Sequence, residues 1–341
     1  MKNIDYSNQI QKEAILNECK GNLFEFLVAQ GLASCSLVED QFLLNLPTEF
    51  KMKLGQYEEL MRTYCPELLK RLPVLASLTV KSIWDKVILE QYIFLEWKVI
   101  GKIVSSNDNE VWNETDIVGS YINKVGMQKH LSFSLKLSKD NSYTNTKSAG
   151  VKSFITKYFA SFGQISQNFQ NELNCEVDES FLAMGHRLYS SIDKEFTGSF
   201  GMEWSDAYTE LPGELSPELR KFVHSNYHRI ALKLSSILTH LKEVNDSLFF
   251  DALATLCGFG HTEIIQVCCF HQEYEFKKVT IKNFEDYFSN INRECELLPI
   301  KELGSSVEIV LGNLLLQIRV KPMNKFTTAA YKINCSIKVK T

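Results

Sequence analysis

Asp116 and Lys136 are the two side chains whose types and spacing suggest chemistry. Asp116 opens a short apolar run, DIVGSYI; a turn-like segment from Asn123 to Gly126 follows; Lys136 then sits in the run LSFSLKLS. In that second run Leu131, Phe133, Leu135 and Leu137 alternate with Ser132, Ser134, Lys136 and Ser138. Such period-two alternation marks a half-buried strand. The two runs read as a hairpin across which Asp116 and Lys136 meet. A carboxylate beside a lysine suits hydrolysis of a phosphodiester bond. The carboxylate holds Mg2+, and the ammonium stabilises negative charge and orients or deprotonates the attacking water. Mg2+ takes oxygen ligands and keeps several of its waters, so two or three protein oxygens suffice. The plainer alternatives are an exposed strand lysine and a strand-entry acid bonded to backbone.

Around this pair the chain divides into regions of different pattern. Residues 6–105 read as helical: Ile15, Leu16, Leu23, Phe24, Phe26 and Leu27 suit one amphipathic helix, and Tyr57 to Leu69 and Val80 to Ile103 suit two more. Residues 111–138 read as the strand pair. Residues 148–174 return to helix on Val151, Phe154, Ile155, Tyr158, Phe159 and Phe162. Ser216-Pro217-Glu218 is a helix start, with a serine cap, proline at the first helical position and then an acid; that helix runs to about Val244. Strands follow at Glu263 to Phe270, Phe276 to Ile281, Val307 to Val320 and Tyr331 to Val339. The segment 197–215 is the most loop-like and the best linker. The expected organisation is a helical region at 1–79, a core at 80–196 and a C-terminal α/β region at 197–341. The fold class is α/β in the α+β sense, a mixed central sheet flanked by helices.

Given these residues, the stretch from Thr115 to Phe159 resembles the PD-(D/E)xK nucleases, and type II restriction endonucleases in particular. In that family an Asp ends one strand and the next carries acid-x-Lys, with acid and lysine on one face. Asp116 matches the first position and Lys136 the lysine; the acid position holds Ser134. Some restriction enzymes of the superfamily also carry a non-acidic residue there. A serine hydroxyl is a poor ligand, so a further carboxylate is expected from the preceding helix, Glu90 or Glu96, with Glu114 and Asp140 as other options. The resemblance implies a restriction-type core near residues 80–175, with Asp116, Ser134 and Lys136 catalytic and Asp116, Glu90 and Glu96 holding Mg2+. It implies cleavage of double-stranded DNA at a short specific site and a cognate DNA methyltransferase as system partner. Blunt double-strand cutting would favour a symmetric homodimer. Two alternatives remain: a structure-specific repair nuclease, and a DNA-binding protein with an inactive nuclease fold, the latter suggested by Ser134.

The charges segregate although the chain of 341 residues carries a formal net charge of −4. Lys129, Lys136, Lys139, Lys147, Lys152 and Lys157 stand against one acid, Asp140. From Gln317 to Thr341 there are Arg319, Lys321, Lys325, Lys332, Lys338 and Lys340 and no acid. Acid-poor stretches in a net-acidic chain suit contact with a polyanion. The segment Ser138 to Gly150 reads as a polar loop offering Lys139, Asn141, Asn145, Lys147 and Ser148 to phosphates. The segment Leu315 to Lys340 reads as a hairpin bent at Pro322 to Lys325, a two-stranded ribbon of the kind that fits a major groove. Its DNA candidates are Arg319, Lys321, Asn324, Lys325 and Lys338.

Other constellations carry less. Cys257, His261, Cys268, Cys269 and His271 lie close together but match no standard zinc spacing. His224 and His228 are one helical turn apart without an HExxH context. The chain lacks GxxxxGK[ST], GxGxxG and GxSxG, which argues against a nucleotide-driven motor, a Rossmann enzyme and a serine hydrolase. Nine cysteines without a CxxC pair read as reduced thiols, the N-terminus as no secretory signal, and no apolar run as a membrane span. A cytoplasmic protein is expected.

Overall fold

The computed structural model describes residues 9–88, 92–100, 115–138, 143–258, 264–283, 294–323 and 325–339. Four helices open the chain: α1 Gln9–Cys35, α2 Glu39–Asn45, α3 Thr48–Tyr64 and α4 Pro66–Lys86. Pro66 opens α4 at the first helical position, where its missing N–H costs nothing. That proline splits the single helix expected over Tyr57 to Leu69. The helix expected over Val80 to Ile103 ends at Lys86, and β1 Ile93–Val99 succeeds it. IFLEWKV is rich in β-branched and aromatic side chains, and Phe94, Trp97 and Val99 are buried.

The chain forms two compact units, Met1–Thr144 with His261–Asp286 and Asn145–Gly260 with Tyr287–Thr341. The sequence boundaries at 79/80 and 196/197 fall inside these units. The first cuts α4; the second lies in an aromatic cluster described below.

In the first unit, β1, β2 Ile117–Ile122, β3 Gln128–Ser138, β5 Ile264–Gln272 and β6 Glu275–Asn283 form one sheet in the order β1-β2-β3-β5-β6. The β3–β5 pair is parallel and the others antiparallel, so the sheet is mixed as expected. Parallel neighbours need a long crossover. Here the crossover carries residues 145–260 of the second unit. One face of the sheet buries Trp97, Ile117, Leu131, Phe133, Leu135, Ile265, Val267 and Cys269 in one core with Phe24, Val28 and Leu32 of α1 and Leu72, Leu75 and Ile83 of α4. Each such side chain contributes about 1.5–3 kcal/mol by leaving water. Gly119 sits against the Trp97 ring; a Cβ there would lie 2.6 Å from Trp97 Cζ3. Trp97 also donates from Nε1 to Ser36 Oγ at 2.9 Å, which ties the sheet to the end of α1.

The second unit holds a sheet in the order β4-β10-β9-β8-β7, made of β4 Thr144–Gly150, β7 Glu296–Leu298, β8 Ser306–Leu311, β9 Leu314–Pro322 and β10 Tyr331–Val339. After β4 come α5 Phe154–Tyr158, α6 Gln164–Ser190, α7 Met202–Ser205, α8 Pro217–Val244 and α9 Asp246–Leu256. The Ser216 side chain accepts from Leu219 N, so α8 starts and ends where its sequence signals put it. The segment expected to be a linker is packed instead. Tyr189, Phe196, Phe200, Trp204 and Phe326 contact one another ring to ring, and Tyr208 stacks on Trp204. Among the described residues no helix is long and apolar enough to cross a membrane.

Candidate active site and candidate nucleic-acid face

The β2–β3 hairpin is fixed by its turn. Asn123 Oδ1 accepts from Val125 N and Met127 N, and Gly126 takes a φ of 79°, the left-handed region that glycine enters freely. The register then runs Ile117 opposite Phe133 and Val118 opposite Ser132. One step further places Asp116 opposite Ser134, and Ser134 Oγ donates to Asp116 Oδ2 at 3.3 Å. Lys136 follows one pleat on. Alternation puts Asp116, Ser134 and Lys136 on one face, opposite the core. The fold thus puts the three expected catalytic residues on one face, with Asp116 across from Ser134 rather than from Lys136.

Asp116 is also built into the ladder. Its N–H donates to Phe133 O and its carbonyl accepts from Ile100 N, both at 2.9 Å. Its Oδ2 accepts Leu135 N–H at 2.7 Å. One carboxylate oxygen therefore satisfies a buried backbone donor where β2 gives out. The plainer expectation for Asp116, a strand-entry acid bonded to backbone, holds for this oxygen.

Of the expected helix carboxylates, the described one, Glu96, does not join the site. Glu96 lies on β1, opposite Ser120, and pairs with Lys98 at 2.9 Å. Ser120 is four residues along β2 from Asp116, roughly 13 Å at the rise of a strand, too far for one ion. Glu90, Glu114 and Asp140 lie outside the described residues. So do Lys139, Asn141 and Asn324. Among the described residues no group of three or more His, Cys, Asp or Glu converges to hold a metal.

The parallel strand β5 adds residues that local spacing does not flag. Ser134 pairs with Gln266, which pairs with Lys282 of β6; Lys136 pairs with Cys268. Asp116, Ser134, Gln266 and Lys282 thus form a row across four strands on one face. Ser134 and Gln266 are each only 2% exposed, while Asp116 and Lys136 are half-buried. Beside Asp116 in this row stand the Ser134 hydroxyl and, one strand further, the Gln266 amide. A Mg2+ held in this row would have one carboxylate, Asp116, and would keep most of its waters.

The C-terminal candidates need correction. β9 and β10 do pair as an antiparallel hairpin, but they are interior strands of a five-stranded sheet and not a free ribbon. One face buries Leu316, Ile318, Val320, Ile333, Cys335 and Ile337. The other carries Lys321 opposite Lys332, Arg319 opposite Asn334, and Lys338 opposite Leu315. Arg319 is exposed and the two lysines at 321 and 338 are half-buried. Burial first, then the positive charges of Arg220 and Arg319, hold His224 below its ordinary pKa. Glu308, on the adjacent strand, accepts from Gln317. Lys325 points its charge elsewhere, into Glu210 at 2.7 Å.

The polar loop expected over Ser138 to Gly150 contains β4. Asn145 is exposed on that strand, and Lys147 and Ser148 fall on opposite faces of it. Ser148 Oγ donates to Asn334 Oδ1 at 3.0 Å, so Ser148 joins the row of Arg319 and Asn334. The cysteines and histidines noted above form no metal centre among the described residues. Cys257, Cys268 and Cys269 are buried, burial raises the thiols of Cys257 and Cys269, and His228 is hydrogen-bonded to Gly304 O.

No family model matches the chain, and no curated protein matches it. The crystal structure of the restriction endonuclease MspI in complex with its cognate DNA aligns over 89% of this chain and 97% of its own, at 11% identity and a TM-score of 0.33. A likeness of that degree carries no argument about what this chain does.

Proposed function

We propose that this chain is a Mg2+-dependent endonuclease that cuts double-stranded DNA at a specific site. The observation that supports the reading is that Asp116, Ser134 and Lys136 share one face of the β2–β3 hairpin, with Ser134 hydrogen-bonded to Asp116. When bound, Mg2+ supplies charge neutralisation at the phosphate and lowers the pKa of its water. Asp116 would hold the ion. Ser134 orients the Asp116 carboxylate through its hydroxyl. Lys136, one pleat away, stabilises the charge that develops on the phosphoryl oxygens. The basic row of Arg319, Lys321, Lys332 and Lys338, with Asn334 and Ser148, would contact the DNA backbone and bases. A cytoplasmic restriction system with a partner methyltransferase is the setting that suits such an enzyme.

A second reading has its own observation. Asp116 already serves Leu135 N–H, and the neighbouring acid position is Ser134, so a DNA-binding protein without cleavage is consistent with the same geometry. Incubation of supercoiled plasmid with the purified protein, with and without Mg2+, separates the readings. Discrete Mg2+-dependent fragments support the site-specific nuclease. Smearing or cutting only at distorted DNA supports a repair nuclease. Shifted but intact DNA supports the inactive binder.

A further inference from the structure

We infer that Arg319 and Asn334 read guanine in the major groove of the DNA, with Ser148 fixing the Asn334 amide so that the pair presents hydrogen-bond donors alone. This rests on the proposed double-stranded DNA substrate and goes beyond it by naming a base and the residues that select it.

Register sets the pair. Arg319 of β9 lies directly opposite Asn334 of β10, on the face away from the buried Leu316, Ile318, Val320, Ile333 and Cys335. Arg319 is exposed and Asn334 half-buried, so both reach that surface. From β4, Ser148 Oγ donates to Asn334 Oδ1 at 3.0 Å. A side-chain amide has one acceptor oxygen and an NH2 donor. Ser148 engages the oxygen, which holds the amide in one orientation and leaves the NH2 to meet a ligand. Arg319 brings N–H donors and no acceptor. The pair therefore offers donors only.

Each base shows its own pattern in the major groove. Guanine presents two acceptors, N7 and O6; adenine an acceptor and a donor; cytosine a donor; thymine an acceptor beside a methyl group. Donors side by side match guanine at both atoms and leave a donor unmatched or opposed at the other bases. An asparagine that offers both its oxygen and its NH2 matches adenine instead. The Ser148 hydrogen bond removes that option and so decides between the two purines.

The surroundings suit a groove. Lys321 lies opposite Lys332 two residues along the same face, about 7 Å from the Arg319 row. The major groove is about 12 Å wide, so a base edge at its centre lies about 6 Å from the phosphates on either side. The lysine pair thus falls at the phosphate backbone when Arg319 and Asn334 are at the base edge. β8 begins at Ser306, opposite Arg319, so past this row the sheet loses β7 and β8 and narrows toward the two-stranded width that the groove admits. In the other direction Gln317 Nε2 donates to the Glu308 carboxylate, so the adjoining row carries an acid and bounds the donor surface.

Short duplexes with randomised centres are selected on the full chain, in Ca2+ in place of Mg2+, and affinities are then measured by fluorescence anisotropy. The selected sequence should contain a required guanine. Replacing N7 of that guanine by carbon should weaken binding roughly tenfold or more, while inosine, which keeps N7 and O6, should not. Arg319→Ala should weaken binding to every duplex through the lost charge and also reduce the preference for guanine over other bases by roughly 10–100-fold. Ser148→Ala should shift that preference from guanine toward adenine by roughly tenfold, a change that a merely structural role for the serine does not produce. The modified-base arm needs only the native chain and stands if a variant does not fold. Binding without a guanine that depends on N7, or a guanine preference unchanged in both variants, overturns the inference; Mg2+-dependent cutting of plasmid by the same preparation then leaves the nuclease reading standing. A native chain that binds no duplex and cuts none overturns both.

Discussion

Asp116→Ala and Asp116→Asn should behave differently in stability and alike in cleavage. In the structure Asp116 Oδ2 accepts Leu135 N–H at 2.7 Å and Ser134 Oγ at 3.3 Å. Leu135 and Ser134 are 3% and 2% exposed, so water cannot readily replace a lost acceptor. Alanine leaves both donors stranded. An unsatisfied buried donor costs about 1–3 kcal/mol, and the second bond is long, so the total should be about 3 kcal/mol. Asparagine keeps an acceptor oxygen in place and loses only charge assistance, about 1 kcal/mol. Urea denaturation followed by circular dichroism, with the two curves fitted at equal slope, reads the difference of about 2 kcal/mol directly. If both variants lose the same stability, or neither loses any, the carboxylate is not capping the ladder and the site geometry drawn here is wrong.

Lys136→Ala should lower the cleavage rate by about 10²–10³-fold, the range for a lost electrostatic stabiliser, and Lys136→Arg should not restore it, as single-turnover kinetics would show. Gly119→Ala should destabilise the first unit by about 1–3 kcal/mol in urea denaturation, because its methyl meets the Trp97 ring at 2.6 Å. Arg319→Ala should reduce the slope of log affinity against log salt by about one unit, while Lys325→Ala should leave it unchanged, since Lys325 is held by Glu210; a fluorescence titration at several salt concentrations compares them. Glu210 is partly desolvated, which acts upward, yet hydrogen bonds from Lys325 and Thr327 bring it below its ordinary value of 4.5. Its stabilisation is therefore present at neutral pH and lost as pH falls through the folded value, so the deficit of Glu210→Gln should shrink in acid denaturation curves.

The hairpin was legible because alternation from Leu131 to Ser138 and the turn at Asn123 to Gly126 are local signals, and register follows from both. α8 was legible for the same reason, through Ser216 and Pro217. β1 was not: Ile93, Phe94, Leu95, Trp97 and Val99 fit a buried helix face as well as a strand, and periodicity alone does not separate them. β4 was missed because TNTKSAG has no apolar alternation; its strand state comes from its place beside β10. The segment 197–215 looked like a linker because its Gly, Pro and Ser residues hid what Phe200, Trp204 and Tyr208 would do against Tyr189 and Phe196 just before it and Phe326 from far along the chain. Gln266 belongs to the same class. Its neighbour Ser134 is distant in sequence, and only the parallel β3–β5 pairing joins them. The clue in the sequence was an amide inside an otherwise apolar strand.

Cleavage and binding of one duplex by native chain and Asp116→Asn, measured side by side in Mg2+, test the central claim most directly. The account predicts Mg2+-dependent cutting at defined positions by the native chain, no cutting by the variant, and DNA binding by the variant at least as tight as native because a negative charge facing phosphate is gone. Cleavage undiminished in Asp116→Asn, or no cleavage by the native chain with any divalent cation, would contradict it.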